Sequence, residues 1–401
     1  MAKKKKSKSQ AAQPFELAST IPKRHPSFRH SVYYWLGLGL LFVALGFACD
    51  RGLAGALYSL YLQLNQGPEN IHLALKTRVD GYIFGDSRAR HHYDPAIIAA
   101  ETGLQFFNAG TPGFDMMFYR CLADLIEQRY TPKFYVVNIS LADLHRNTAQ
   151  YPPMAVFAPF MDDSAAVRDV LIKQSWRGGI KFAGLGSAVD NELIFSSNLK
   201  LTWKYQWRTL AKFQLSHLAR FNSKLHSIVE EWGQKPVSTH NGFKPLTGPF
   251  VELDDPSKIF LEEDIDLYFA HSLVQFVRQA QKKGIRVIFA IGPSYRVKTG
   301  FQLKSDEWYY LRAIRQCAQL LGVPLLEISE NTRPEYRDVN NYVDTDHLNA
   351  KGVAIFTQHF ALHLRRLMEL PDFTHTVYQA QIAAAQYVLP IELFTGRNYA
   401  R

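Results

Sequence analysis

Val32 to Cys49 (VYYWLGLGLLFVALGFAC) runs for 18 residues without a charge. As a helix this run is about 27 Å long, close to the ~30 Å hydrocarbon core of a bilayer. An apolar cylinder of that size needs cover from lipid or from a protein core, and the preceding residues argue against a core. Residues 1–30 hold eight Lys or Arg (Lys3 to Lys6, Lys8, Lys23, Arg24 and Arg29) against one acid, Glu16, a net +7 of the chain's formal +10. Such a tail is a poor neighbour for a buried helix, whereas basic flanks stay on the cytoplasmic side of a membrane. Tyr33, Tyr34 and Trp35 open the run, where amphipathic rings favour the interface. The expectation is a basic cytoplasmic tail (1–31), a single-pass signal anchor in the cell membrane (32–49), and a body on the extracytoplasmic or periplasmic side. The small-x-small triplet Gly46-Phe47-Ala48 keeps a cleaved signal peptide open as the alternative.

Beyond residue 30 a formal charge of only +3 remains, so the basic pI is a property of the tail and no nucleic-acid partner is expected. With 47% apolar and 13% aromatic residues, the body has ample material for a large core. Cys49, Cys121 and Cys317 form no CxxC or Cys/His spacing, so neither a disulfide framework nor a zinc site follows. Residues 50–79 read as a stalk. Leu53, Leu57, Leu60 and Tyr61 recur at helical spacing there, fitting either a helix along the membrane surface or one packed on the body.

Further on, strand-like runs alternate with helical patterns, the signature of an α/β fold with a mainly parallel sheet. Strands are expected over Gly81–Phe84, Leu104–Asn108, Phe134–Ser140, Ile285–Ile291 and Pro324–Ile328. Helices are expected over Pro95–Thr102, Met116–Gln128, Ile265–Lys283, Asp306–Leu321 and Ala350–Met368. Residues 145–260 break this rhythm with interleaved aromatic and basic side chains (Trp203, Lys204, Tyr205, Trp207, Arg208). They read as a mostly helical insertion or lid between the two parts of one domain, 80–144 and 261–370. A C-terminal helical tail, 371–401, follows.

Gly85-Asp86-Ser87-Arg88 lies between the first expected strand and a helix. Ligands of doubly wound sheets bind at such carboxyl-end edges. A serine on that turn is exposed, but it needs a base to be nucleophilic at neutral pH. Asp344-Thr345-Asp346-His347-Leu348-Asn349 offers one. A carboxylate three residues before a histidine can turn back onto one ring nitrogen, leaving the other to take the serine proton. Asp346 is the less suitable orienter, and Asn349 fits as the cap of the next helix. Arg88 fits either a substrate anion or a neighbouring acid. Gly292-Pro293-Ser294 fits either a cleft wall or a turn. His91-His92-x-Asp94 lacks a fourth ligand, so no metal is expected. Neither GxGxxG nor GxxxxGK[ST] occurs, and no cofactor is expected.

With GDS after the first strand, N-x-x-x-x-G after the second and DxxH-L-N near the end, the chain resembles the SGNH (GDSL-type) hydrolases. The resemblance covers about residues 80–140 and 285–368. It implies a flavodoxin-like, three-layer α/β/α domain and ester chemistry at a serine. Ser87 then matches the nucleophile, and Asp344 and His347 match its triad partners. Within Asn108-Ala109-Gly110-Thr111-Pro112-Gly113, Gly113 matches the oxyanion-hole glycine beside the Ser87 N–H, with Gly110 as the alternative register. Arg88, Asn108, Gly110 and Asp143 are the further candidates for the substrate cleft. The third block departs from the family's G-x-N-D: Ala142 stands where the Asn amide belongs. Asn138, four residues earlier, is roughly 13 Å away along an extended chain and does not replace it. An anchored member with this block eroded is similar to the proteins of D-alanyl transfer and polysaccharide O-acetyl transfer. That implies a cell-envelope polysaccharide or its acyl donor as substrate and a membrane-bound O-acyltransferase as partner. A non-catalytic scaffold docking such a partner is the rival.

Overall fold

The computed structural model of the protein describes residues 28–64, 70–139, 152–171, 213–221, 241–251, 267–295, 305–329 and 333–369, with Leu225, Val229, Glu231 and Leu389. The basic tail before residue 28, most of the 145–260 insertion, Ala142 and Asp143 of the third block, and the 371–401 tail apart from Leu389 lie outside the described residues.

The chain divides into two units, Met1–Asp50 and Arg51–Arg401. Helix α1 (Phe28–Gln63) begins in the first and ends in the second. Over Ser31–Gln63 it is long and apolar enough to cross a membrane. Within the first unit its apolar side chains are largely exposed among the described residues, Leu40 being 71% and Phe42 78% exposed. The helix runs past the expected end at Cys49. Its later residues belong to the body: Ala54 and Tyr61 are buried, as is Leu64 just past its end, and Leu57, Tyr58 and Leu62 pack against the larger apolar cluster. Of the two readings of residues 50–64, the structure has the helix packed on the body. Helix α2 (Ile71–Lys76) buries Ile71, Ala74 and Leu75 in the same cluster.

Five strands form the sheet: β1 (Gly81–Phe84), β2 (Phe106–Asn108), β3 (Phe134–Asn138), β4 (Arg286–Ile291) and β5 (Leu325–Glu327). All pair in parallel, in the order β2-β1-β3-β4-β5. The helices between them are α3 (Ser87–His92), α4 (Pro95–Thr102), α5 (Met116–Glu127), α6 (Leu267–Lys282), α7 (Ser305–Leu321) and, after β5, α8 (Ala350–Glu369). Alternate strand residues enter different apolar clusters, as the two-residue period of a strand requires. Tyr82, Phe84, Tyr135 and Val137 join one with α5, α6 and α7, while Ile83, Phe134 and Val136 join the other with α4 and α8. Apolar cover on both sides explains why these strands read as continuous apolar runs.

From β1 the chain moves outward to β2, then returns to build β3, β4 and β5 on the other side. The strand order therefore reverses between β1 and β3. The carboxyl ends of those strands, Phe84 and Asn138, flank the crevice where an open parallel sheet presents ligands.

Candidate active site

Ser87 is the first residue of α3, three positions beyond β1. Asp86 caps this helix, its carboxylate accepting from the Arg88 N–H at 2.9 Å. Gly85 makes the turn at φ 148°, and a β-carbon there would stand 2.6 Å from Ala89 Cβ and 2.8 Å from the Asn138 carbonyl oxygen. Both the backbone angle and the closeness of β3 require glycine.

The triad closes across the fold. Ser87 Oγ lies 2.7 Å from His347 Nε2. His347 Nδ1 lies 2.9 Å from each Asp344 carboxylate oxygen. Asp344 Oδ1 also accepts from the N–H groups of Asp346 and His347, both at 2.8 Å, which folds the loop into a tight turn. Asp346 contributes its backbone, and Asp344 is the carboxylate on the ring. Asn349 Oδ1 accepts from Lys351 and Gly352 N–H at 3.0 and 3.1 Å, capping α8 as its position suggested. The His347 and Asp344 side chains are 18% and 17% exposed, shielded yet open to a reactant.

The turn after β2 braces this arrangement. Thr111 N–H donates to the Gly85 carbonyl at 2.8 Å. Asn108, fully buried, donates to the Ala89 and Tyr93 carbonyls and accepts from the Gly110 N–H at 3.0 Å. Asn108 therefore holds α3 in place rather than lining a cleft, and the Gly110 N–H is spent within the turn. Gly113 stands at φ 75° with open space at its α-carbon. Arg88 Nε lies 3.8 Å from Asp86, the neighbouring acid. Asn138 is buried and its Oδ1 accepts from the Tyr93 hydroxyl at 2.8 Å, while its Nδ2 has no hydrogen-bond partner among the described residues. Asp143 lies outside the described residues. Pro293 and Ser294 are buried, and Tyr295 N–H donates to the Thr345 carbonyl at 2.8 Å, so this turn supports the Asp-His loop.

Sequence reasoning missed two supports. Asn241–Val251, from the late insertion, crosses the site edge. Asn241 carbonyl accepts from Asn108 N–H, Lys244 carbonyl meets His91 Nδ1 at 2.6 Å, and Val251 pairs with Asp344 in a parallel bridge. Asn241-Gly242, at φ 46° and 84°, is an Asn-Gly turn legible in the sequence. Gly242 is obligatory there, since a β-carbon would come 2.0 Å from the Asn108 carbonyl oxygen. The second support is the histidine pair. The rings of His91 and His92 stand edge-on to His347, with centroids at 5.6 and 6.2 Å. Burial, and then the charge His347 can carry, hold His92 well below the ordinary histidine range; burial also lowers His91. Among the described residues no three His, Cys, Asp or Glu side chains gather as a metal would need.

A hydroxyl, an imidazole and a carboxylate in this chain of contacts can move a proton from oxygen to nitrogen and so create a nucleophile. No protein-family model matches the chain, and no curated protein matches it, so these contacts themselves carry the functional argument.

Proposed function

We propose that this chain is a membrane-anchored serine enzyme that transfers or hydrolyses an acyl ester on a cell-envelope polysaccharide outside the cytoplasm. The carrying observation is Ser87 Oγ at 2.7 Å from His347 Nε2, with Asp344 on the opposite ring nitrogen. The resemblance to SGNH hydrolases supports the same three roles. The order 2-1-3-4-5, with an apolar cluster on each side of the strands, supports a flavodoxin-like three-layer α/β/α domain. The apolar, exposed stretch of α1 behind a basic tail supports a membrane anchor with its N-terminus in the cytoplasm.

In this reading Ser87 Oγ attacks the ester carbonyl carbon while His347 Nε2 takes the hydroxyl proton. Asp344 fixes the imidazole tautomer and stabilises the imidazolium that forms. The backbone N–H groups of Ser87 and Gly113 bind the oxyanion. The tetrahedral species collapses, the ester C–O bond breaks, and the departing alcohol takes the proton back from His347. The acyl group on Ser87 then passes to a polysaccharide hydroxyl, or to water, with His347 again the base. Alanine, the residue at position 142, has no side-chain amide to offer an oxyanion, and losing one such donor costs about 10²–10³ in rate on a simple ester. Binding a long glycan remote from the carbonyl offsets such a loss by orientation. A membrane-bound O-acyltransferase that delivers the acyl group is the partner this reading takes.

The test uses the full-length chain. Ser87→Ala and His347→Ala should each abolish covalent labelling by a fluorophosphonate in detergent and remove the glycan ester in cells, at unchanged membrane level. Full complementation by Ser87→Ala would leave the scaffold reading in its place.

A further inference from the structure

Resting on that reading, we propose that His92 is a positioning residue for the triad: its Nε2 accepts from the Leu348 N–H and so sets where His347, one residue earlier, presents its own Nε2 to Ser87. The Leu348 N–H to His92 Nε2 distance is 3.1 Å.

Helix α3 carries Ser87 at its first position and His92 at its last. One short rigid element therefore grips the Asp-His loop twice, at the His347 ring and at the Leu348 backbone. Neither grip is adjustable alone. The far end of α3 is itself fixed: Thr357 Oγ1, on α8, donates to the His92 carbonyl at 2.8 Å and accepts from Asp94 N–H at 3.2 Å. The His92 ring is fully buried and held edge-on between His347 and Phe356. A backbone N–H only donates, so Nε2 must carry a lone pair and the proton must sit on Nδ1. Protonation of both nitrogens would set donor against donor at Leu348. Burial, which lowers the affinity of this ring for a second proton, keeps it neutral. Nδ1 has no hydrogen-bond partner among the described residues, whereas Nε2 takes the Leu348 N–H; the ring also meets the loop at the Asp346 backbone and edge-on at His347.

That asymmetry selects the variants. In His92→Gln the side-chain carbonyl reaches where Nε2 stood and can accept from Leu348. In His92→Asn it reaches only the Nδ1 position, and His92→Phe fills the volume with no acceptor. The full-length chain in detergent is assayed on p-nitrophenyl acetate, with thermal unfolding measured on every variant and Ser87→Ala alongside. We expect kcat to fall about tenfold to a hundredfold in His92→Asn and His92→Phe with KM within about twofold, because a displaced imidazole loses alignment rather than binding. His92→Gln should recover at least about tenfold over His92→Asn. Equal loss in Gln and Asn variants, or no loss in either, overturns the positioning role even with Ser87→Ala dead. Wild-type turnover no faster than Ser87→Ala overturns the serine reading, and the role of His92 with it. A variant too unstable to purify is replaced in cells by glycan ester content relative to membrane level, where the same Gln-over-Asn order is required.

Discussion

Asp344 meets His347 Nδ1 with both carboxylate oxygens while holding two backbone N–H groups of its own loop. In Asp344→Asn the amide can offer its oxygen to the loop or to the ring, but an amide donor aimed at Nδ1 turns the imidazole to the wrong tautomer. A loss of about 10⁴ in kcat is expected, by analogy with triads elsewhere, and stopped-flow labelling of the full-length chain measures it. Asp346→Asn, which keeps its backbone N–H on Asp344, should stay within about threefold of wild type. Ser87, Asp344 and His347 were legible because each sits in a local pattern: a turn after a strand, and a carboxylate with i,i+3 reach. His92 was not legible as a support, since its partner Leu348 lies 256 positions away and nothing nearby marks the acceptor. Asn108 was misread in the opposite sense. The resemblance made this asparagine, at the carboxyl end of β2, a candidate for the cleft, but its carboxamide is consumed by the Ala89 and Tyr93 carbonyls and the Gly110 N–H.

Among the elements, the β1–α3 turn is the most constrained. Gly85→Ala forces a β-carbon into Ala89 and the β3 carbonyl at a backbone angle that L-residues avoid. About 2–4 kcal/mol of destabilisation is expected, with Ser87 displaced, so urea unfolding and fluorophosphonate labelling should fall together. The five strands and five main helices of the α/β body were legible to within two residues, because a parallel sheet covered on both faces writes apolar runs and amphipathic helices write a 3.6 period. The end of α1 was not. Leucine and tyrosine serve equally well against lipid or against a protein core, so composition could not tell that Tyr61 and Leu64 turn into the body. Asn241–Val251 escaped because its hold on Asn108, His91 and Asp344 is through backbone carbonyls, amides and a bridge, which leave no side-chain signature beyond the Asn-Gly turn.

For the molecule as a whole, buried histidines set the response to acid. His72, with its ring 4.3 Å from Tyr61, is lowered by burial from 6.5 to about 3. His92 is lowered in the same direction. Between the folded and unfolded values the unfolded chain binds protons that the folded chain refuses, so stability is complete above about pH 6.5 and falls as pH drops below it. Each such histidine contributes about 1.4 kcal/mol per pH unit to that slope. Urea unfolding of the full-length chain from pH 7 to 5 should show the decline, and His72→Leu should flatten it by about that amount per unit. Asp80, lowered chiefly by its bond to Lys133, acts in a separate window, losing its contribution only as pH falls through its own depressed value. The contact between Ser87 and His347 joins positions 260 residues apart. On the proposed reading, a ribosome has therefore made most of the polypeptide before the nucleophile can exist, and until the Asp-His loop docks, the serine is as inert as one in a peptide. On the proposed reading, newly made chains are thereby spared from acylating themselves or their neighbours. The fraction of molecules that a serine-directed probe marks is a census of finished ones.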